Sequence, residues 1–126
     1  MSKFKDKVIE VVKIIPYGYV VSYGQVALMC GVPRAARQVG WILNGLEGEI
    51  QLPWWRVVNN QGRVSIKGSK YSALDQKMLL EKEGINISND LTFDIEKHRF
   101  RPSVDVLKKF ELDDDYISIL LEKYLY

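Results

Sequence analysis

The chain has 126 residues, of which 47% are hydrophobic and 27% charged, and its net charge is only +2. This length predicts one domain with a modest core, and the composition is that of an ordinary globular protein. No apolar run approaches membrane-spanning length, the N-terminus leads into an amphipathic pattern, and Cys30 is the only cysteine. The sequence therefore predicts an intracellular protein, in the cytoplasm and nucleoid or in a nucleus, with no membrane span, signal peptide, disulfide or metal site.

A helix-turn-helix is predicted in the first third of the chain. A first amphipathic helix ends before Pro16, and Ser22 suits the N-cap of a short helix over 23–29. The glycine- and proline-containing segment 30–33 breaks that helix, and a second helix is predicted over 34–44. Two short helices joined by a glycine-containing turn are typical of a helix-turn-helix.

A small hairpin is predicted in the middle of the chain. The sequence 59–62, Asn-Asn-Gln-Gly, has turn chemistry and separates Val57 and Val58 from the extended run 63–66. One more short strand is predicted at 91–95. The predicted class is therefore mainly α with a small β-hairpin.

The helix predicted over 72–83 ends at Gly84. Three of its apolar residues have the spacing of a core-facing helix side: Leu74, Met78 and Leu79. This periodicity predicts that the helix packs on the body through those three side chains.

The C-terminal segment 103–126 is predicted to be a helical extension of a domain that spans 1–102. It forms two helical pieces around 112–115, and Asp113 can cap the second. One stripe of the second piece has helical spacing: Tyr116, Ile119, Leu120, Lys123 and Tyr124. We expect this stripe to dock on the protein's own body, and a partner-binding helix is the alternative.

Positive charge is concentrated in the middle of the chain. Residues 30–70 hold six basic and two acidic side chains, a local +4, whereas residues 103–126 hold three basic and six acidic ones, a local −3. Aromatic residues lie among or next to these basic side chains: Tyr23, Trp41, Trp54, Trp55 and Tyr71. Cations for phosphates and rings for stacking predict a nucleic-acid ligand.

Several motifs agree in type and spacing. Residues 15–18 read Ile-Pro-Tyr-Gly and residues 21–24 read Val-Ser-Tyr-Gly, at the entry to the helix-turn-helix. Residues 33–40, at the start of the second helix, read Pro-Arg-Ala-Ala-Arg-Gln-Val-Gly. Residues 53–57 read Pro-Trp-Trp-Arg-Val, and a later helix ends with Glu-Lys-Glu-Gly at 81–84.

Together these motifs resemble the DNA-binding domain of the DNA-repair alkyltransferases, which take alkyl groups off guanine oxygen. Arg37 precedes Trp54 by 17 residues, the family's spacing from the recognition-helix arginine to the reactive cysteine. The resemblance covers about residues 6–84. It implies a winged-helix-like DNA-binding domain that contains the helix-turn-helix.

The reactive pair of that family is missing. Trp54 stands at the position of the cysteine and Trp55 at that of the histidine, and an indole offers neither a nucleophile nor a proton acceptor. Glu83 matches the glutamate of the family and has no histidine to polarise. Cys30 is expected to be a small buried hydrophobe and His98 a surface residue. We therefore predict that the chain is not an enzyme and has no catalytic residue.

A subgroup of the family, the alkyltransferase-like proteins, carries tryptophan in place of the reactive cysteine, and the chain resembles it. The resemblance implies binding to the minor groove of double-stranded DNA with O6-alkylguanine, flipping of the lesion into a pocket and bending of the duplex. It further implies that the complex attracts nucleotide excision repair proteins. We expect a monomer that needs no cofactor.

The resemblance assigns lesion contacts to five residues: Tyr23, Arg37, Trp54, Val57 and Lys67. Tyr23 would crowd the phosphate beside the lesion, Arg37 would fill the hole left by the flipped base, and Trp54 would line the pocket floor. Lys67 would face the flipped base or contact a phosphate. Trp55 is predicted either to support Trp54 or to pack in the core.

The second helix is predicted to contact DNA through Arg34, Ala35, Ala36 and Gly40. Three of these residues are small, which lets a helix approach the narrow minor groove closely.

Two other function classes stay open at the level of the sequence. A transcriptional regulator would read base edges with Arg, Asn or Gln on the same helix face. That face offers Arg34, Arg37, Gln38 and Asn44. A protein-interaction module would instead use the acidic C-terminal segment.

Overall fold

The computed structural model describes residues 3–46, 51–64 and 72–122 and is mainly helical. Its elements follow in chain order: α1 (Lys3–Lys13), β1 (Val21–Ser22), α2 (Tyr23–Met29), α3 (Ala36–Gly45), β2 (Val57–Val58), α4 (Ala73–Lys82), α5 (Ile95–His98), α6 (Val104–Lys108) and α7 (Asp114–Leu120). A short 3₁₀ helix, Trp54–Arg56, leads into β2. The mainly α class with a small sheet is thereby confirmed. No helix within the described ranges is long and apolar enough to cross a membrane.

The predicted helix-turn-helix is formed by α2 and α3. Ser22 caps α2, because its Oγ accepts a hydrogen bond from the backbone N–H of Gln25 at 3.0 Å. The turn after α2 contains Gly31, whose φ of 83° favours glycine. Packing of α3 on α2 buries Val39 and Leu43, and this leaves the opposite side of α3 at the surface.

The two-stranded sheet differs from the predicted hairpin. β2 pairs with β1 in parallel, with Val57 opposite Val21. Both valines are fully buried, so burial in the core decides this pairing more than the turn that follows β2. The turn itself is present, and the N–H of Asn59 donates to the carbonyl oxygen of Arg63 at 3.2 Å. Residues 65 and 66 of the predicted second strand lie outside the described residues.

The strand predicted at 91–95 is wrong. Thr92 makes a single antiparallel bridge with Arg63. Leu91 has a φ of 68°, and the side chain of Asp94 caps the first turn of α5. A left-handed residue and a helix cap do not continue a strand, so this segment is a turn that leads into α5.

The core face predicted for α4 is wrong. Leu74 and Met78 are exposed, and Leu79 is half-buried. The buried residues are Gln76 and Leu80. The Nε2 of Gln76 donates to the carbonyl oxygens of Trp55 at 3.1 Å and Val57 at 2.8 Å. These buried hydrogen bonds set the rotation of α4, and hydrophobic spacing does not reveal them.

The main hydrophobic cluster joins the first three helices to the C-terminal ones. Buried side chains of α6, α7 and the turn between them belong to it: Leu107, Phe110, Ile117 and Leu120. The Oη of Tyr116 donates to the carbonyl oxygen of Leu28 at 2.7 Å, which fixes α7 against α2. The two helical pieces are thus confirmed, and α7 docks on the protein's own body. A boundary between 1–102 and 103–126 stays a prediction.

The apolar stripe of α7 is shifted from the predicted one. Ile119 is 48% exposed, whereas Ile117 lies buried with Leu120. Asp113 caps the helix, as predicted. Tyr116 is held against α2 by the hydrogen bond described above, and the residue that follows it, Ile117, faces the core. Residues 123 and 124 of the predicted stripe lie outside the described residues.

Candidate nucleic-acid interface

A groove of about 940 Å³ opens beside α2 and α3. Its wall includes Tyr23, Arg37, Gly40, Trp41, Asn44 and Arg99. The charged and amide side chains of the described wall are two arginines, three asparagines and one glutamine, and no carboxylate is among them. Such a surface attracts an anionic ligand that also offers hydrogen-bonding edges.

Tyr23 and Arg37 are brought into one groove by the helix-turn-helix. Tyr23 opens α2, and Arg37 lies in the first turn of α3 with its side chain exposed. Gly40 is one helical turn further along α3, and a Cβ added there would be 3.9 Å from Cε1 of Tyr23. Such a Cβ would be in ordinary van der Waals contact with the edge of the tyrosine ring. Ala36 lines the same wall and adds little bulk.

Other predicted contact residues lie elsewhere. Ala35 is buried and Arg34 is exposed, and neither lines the groove. Trp54 and Val57 are also buried and are not part of the described wall. Lys67 lies outside the described residues. The lesion-contact roles of these residues stay predictions.

Arg99 is a groove residue that the sequence did not point to. Its NH1 donates to Oε1 of Gln25 at 2.8 Å and its Nε to Oε1 of Glu96 at 2.8 Å. Gln25 in turn donates through Nε2 to the carbonyl oxygen of Phe100 at 2.7 Å. The segment after α5 is thereby tied to α2, and it carries a guanidinium to the groove. No local pattern links residues so far apart in the chain.

Trp54 and Trp55 meet edge to face. Their ring centroids are 5.9 Å apart and the planes are inclined at 87°. The guanidinium of Arg56 lies 5.6 Å from the ring centre of Trp55 and 5.8 Å from that of Tyr17. Trp55 also packs against a second hydrophobic cluster, which includes Val58. Trp55 therefore makes both predicted kinds of contact, because it touches Trp54 and also packs against a hydrophobic cluster.

Glu83 lies at the centre of a hydrogen-bonded cluster that it forms with Gly18, Trp55 and Arg56. Its carboxylate accepts hydrogen bonds from Nε1 of Trp55 at 2.7 Å, from the N–H of Gly18 at 2.8 Å and from NH2 of Arg56 at 2.9 Å. NH1 of the same arginine donates to the carbonyl oxygen of Ile15 at 2.8 Å. Although position 55 is not a histidine, Glu83 keeps a full set of partners, and the indole N–H of Trp55 is one of them.

The pKa of Glu83 lies below its usual range. Burial alone would raise this pKa, but hydrogen bonds from Arg56, from the N–H of Gly18 and from Trp55 outweigh burial and lower it. The carboxylate therefore stays ionised at neutral pH and is a weak base. It can hold the cluster together but is poorly suited to take a proton from a neighbouring group.

Cys30 is buried at the end of α2, as predicted. Burial raises the pKa of its thiol to about 12, so the thiolate is scarce at neutral pH. Within the described part of the chain no cluster of three His, Cys, Asp or Glu side chains could hold a metal ion.

Most of the chain is similar to known DNA-repair proteins. The profile of the "6-O-methylguanine DNA methyltransferase, DNA binding domain" matches residues 3–85. The "DNA base-flipping protein" of Escherichia coli is 41% identical over 99 residues, which are 79% of this chain and 75% of that protein. "Alkyltransferase-like protein 1" of Schizosaccharomyces pombe is 41% identical over 87 residues, 69% of this chain and 81% of that protein.

A solved structure shows the same fold. The S. pombe Atl1 chain, crystallised in complex with damaged DNA containing O6-carboxymethylguanine, matches with a TM-score of 0.75 and 35% identity. The match covers 81% of this chain and 98% of that one. Arg99 lies beyond the part matched by the family profile.

Proposed function

The chain belongs to the alkyltransferase-like family, and on that premise we propose that it is a non-enzymatic sensor of O6-alkylguanine in double-stranded DNA. It binds the lesion and leaves the alkyl group in place. The complex then marks the site for nucleotide excision repair proteins. The observation that carries this proposal is the meeting of Tyr23 and Arg37 in one cationic groove, in a chain with tryptophans at the reactive positions.

Binding follows from the chemistry of the groove. A flipped base leaves a hole in the stack that costs a few kcal/mol to open. Arg37 projects from α3 into the groove, and its flat guanidinium can both stack in that hole and bond the orphaned base. Because Ala36 and Gly40 have little or no side chain, this side of α3 can approach the narrow minor groove closely.

The absence of alkyl transfer follows from the groups that surround the reactive positions. Trp54 and Trp55 carry no thiol and no imidazole. Cys30 is buried and its pKa is raised to about 12, and the pKa of Glu83 is lowered. A nucleophile and a base are both needed to take an alkyl group from oxygen, and these residues supply neither.

We expect the protein to bind a duplex with one O6-methylguanine about tenfold or more tightly than the same duplex with guanine. A damaged base costs less to flip, and each saving of about 1.4 kcal/mol corresponds to tenfold in affinity. Fluorescence anisotropy of the two labelled duplexes at fixed salt measures the ratio.

The same mixtures provide the controls. After long incubation the lesion should remain in the DNA and the protein mass should be unchanged. A protein heavier by one methyl group would contradict the non-enzymatic proposal. Equal affinity for both duplexes, with a preference for one base sequence, would indicate a transcriptional regulator. No binding to either duplex would indicate an interaction module.

Replacing Arg37 with alanine should weaken binding to the lesion duplex by about 1–3 kcal/mol, the usual contribution of a stacked or base-bonded side chain. The fluorescence of 2-aminopurine placed beside the lesion should rise on binding of the unmodified protein and much less with Arg37→Ala. Lys108→Ala is the control, because Lys108 is an exposed cation of α6 and does not line the groove. Equal 2-aminopurine signals from the unmodified protein and Arg37→Ala would remove Arg37 from the flipping step.

A further inference from the structure

Trp41 is the most exposed of the chain's three tryptophans. Its side chain lies in α3 and is 63% exposed, although tryptophan is strongly buried on average. The buried face of α3 is formed by Val39 and Leu43, so Trp41 takes no part in the core. Within the described residues its indole has neither a hydrogen-bond partner nor an aromatic neighbour.

The position of Trp41 relates it to Arg37. Residues four apart lie on the same face of a helix, one turn from each other. Trp41 lines the same groove as Arg37, with Gly40 and Asn44 beside it. Along the helix axis, Arg37 and Trp41 are about 6 Å apart, which is less than two base-pair steps of about 3.4 Å. A duplex held at Arg37 therefore comes within reach of Trp41.

The surroundings of Trp41 indicate which ligand would cover it. The described wall of the groove carries arginine and asparagine side chains and no carboxylate. Proteins that bind the minor groove combine such side chains with apolar wedges that press on sugars or enter between base steps. An exposed indole beside the exposed guanidinium of Arg37 and several amides fits DNA better than it fits an apolar or cationic protein surface.

We propose that Trp41 is a second DNA-contacting side chain of α3, which packs its ring on the duplex beside the step occupied by Arg37. This inference rests on the proposed binding of DNA in the groove. It differs from the lesion contacts in one respect: the ring meets sugars and bases that are the same in damaged and undamaged duplexes. Trp41 therefore raises affinity for both duplexes and leaves their ratio unchanged.

The test compares Trp41→Ala with Leu74→Ala. Leu74 is a matched control because it is 64% exposed and lies on α4, away from the groove. Trp41→Ala should weaken binding to the O6-methylguanine duplex and to the guanine duplex by the same factor, roughly 5- to 100-fold for one stacked ring. Trp41→Phe should recover most of this loss, and Leu74→Ala should bind as the unmodified protein does. Unchanged binding of Trp41→Ala, or a loss confined to the lesion duplex, would overturn the proposal.

A second measurement uses the unmodified protein and does not depend on the folding of a variant. Acrylamide should quench the fluorescence of Trp41 in the free protein, because the other two tryptophans are less exposed. The guanine duplex at saturation should remove this accessible component. Persistent quenching in the complex would show that the ring does not meet DNA. A failure to distinguish the two duplexes would contradict lesion sensing but leave this result intact.

Discussion

Replacing Glu83 with glutamine is expected to lower the free energy of unfolding by about 3–5 kcal/mol, the usual cost of removing one partner of a buried ion pair. The side chain of Glu83 is 4% exposed and that of Arg56 is 14% exposed, so neither is well solvated. Glutamine would leave the guanidinium without a counter-charge and would offer one acceptor oxygen where two are used. Denaturation by urea at pH 7 measures the loss.

The loss should also depend on pH. Because the folded pKa of Glu83 is lowered, its ionised form contributes stability that is fully present above the unfolded pKa and is lost as the pH falls through the folded pKa. The difference between the two proteins should therefore be constant near neutrality and shrink below about pH 4.3, the pKa of glutamate in an unfolded chain.

Glu81→Gln is the matched control, because Glu81 lies in the last turn of α4, two residues before Glu83, and is exposed. It should change the free energy of unfolding by no more than about 0.5 kcal/mol, as most surface substitutions do. A loss for Glu83→Gln as small as this, or a loss that does not change with pH, would show that the cluster does not depend on the charge of Glu83.

Truncation after Pro102 is expected to leave the shortened chain without a stable folded state at 25 °C. It removes four side chains that are buried in the main hydrophobic cluster: Leu107, Phe110, Ile117 and Leu120. Cutting back even one such side chain to alanine costs about 2–5 kcal/mol, whereas the whole stability of a domain is about 5–15 kcal/mol. Circular dichroism during heating should show no sharp transition.

Two neighbouring residues of α7 give a milder version of the same test. Leu120 is 1% exposed and Ile119 is 48% exposed. Leu120→Ala should lose about 2–5 kcal/mol, and Ile119→Ala about 0.5 kcal/mol or less. Equal losses from the two variants, or an unaltered melting curve after truncation, would contradict the docking of α7.

The sequence predicted those parts of the fold that depend on local signals. Ser22 marked the start of α2 and Asp113 that of α7, because a cap needs only a side chain and the next turn of helix. The face of α4 was predicted wrongly, because its rotation is set by buried hydrogen bonds from Gln76 to a distant segment. The sequence also failed to predict the pairing of β2 with β1, because this pairing depends on burial in the core and not on the turn after β2.

The groove was predicted in part. The family resemblance assigned lesion contacts to Tyr23 and Arg37, and the structure places both side chains in one wall. Arg99 escaped notice because only the folded chain brings it to Gln25. The partners of Glu83 were missed in a different way: chemistry that depends on histidine predicted an idle carboxylate, yet an indole N–H and a guanidinium both donate to it.

The partners of Glu83 also bear on how such a chain could change during evolution. Cysteine at position 54 alone would have an indole and no imidazole at position 55, and the carboxylate of Glu83 is held by three donors, from Gly18, Trp55 and Arg56, and is too weak a base to activate a thiol. Histidine at position 55 alone would withdraw the large ring that touches Trp54 and would find no thiol to serve. We therefore expect that neither single substitution supplies both a thiol and a base, and that alkyl transfer requires positions 54 and 55 to change together.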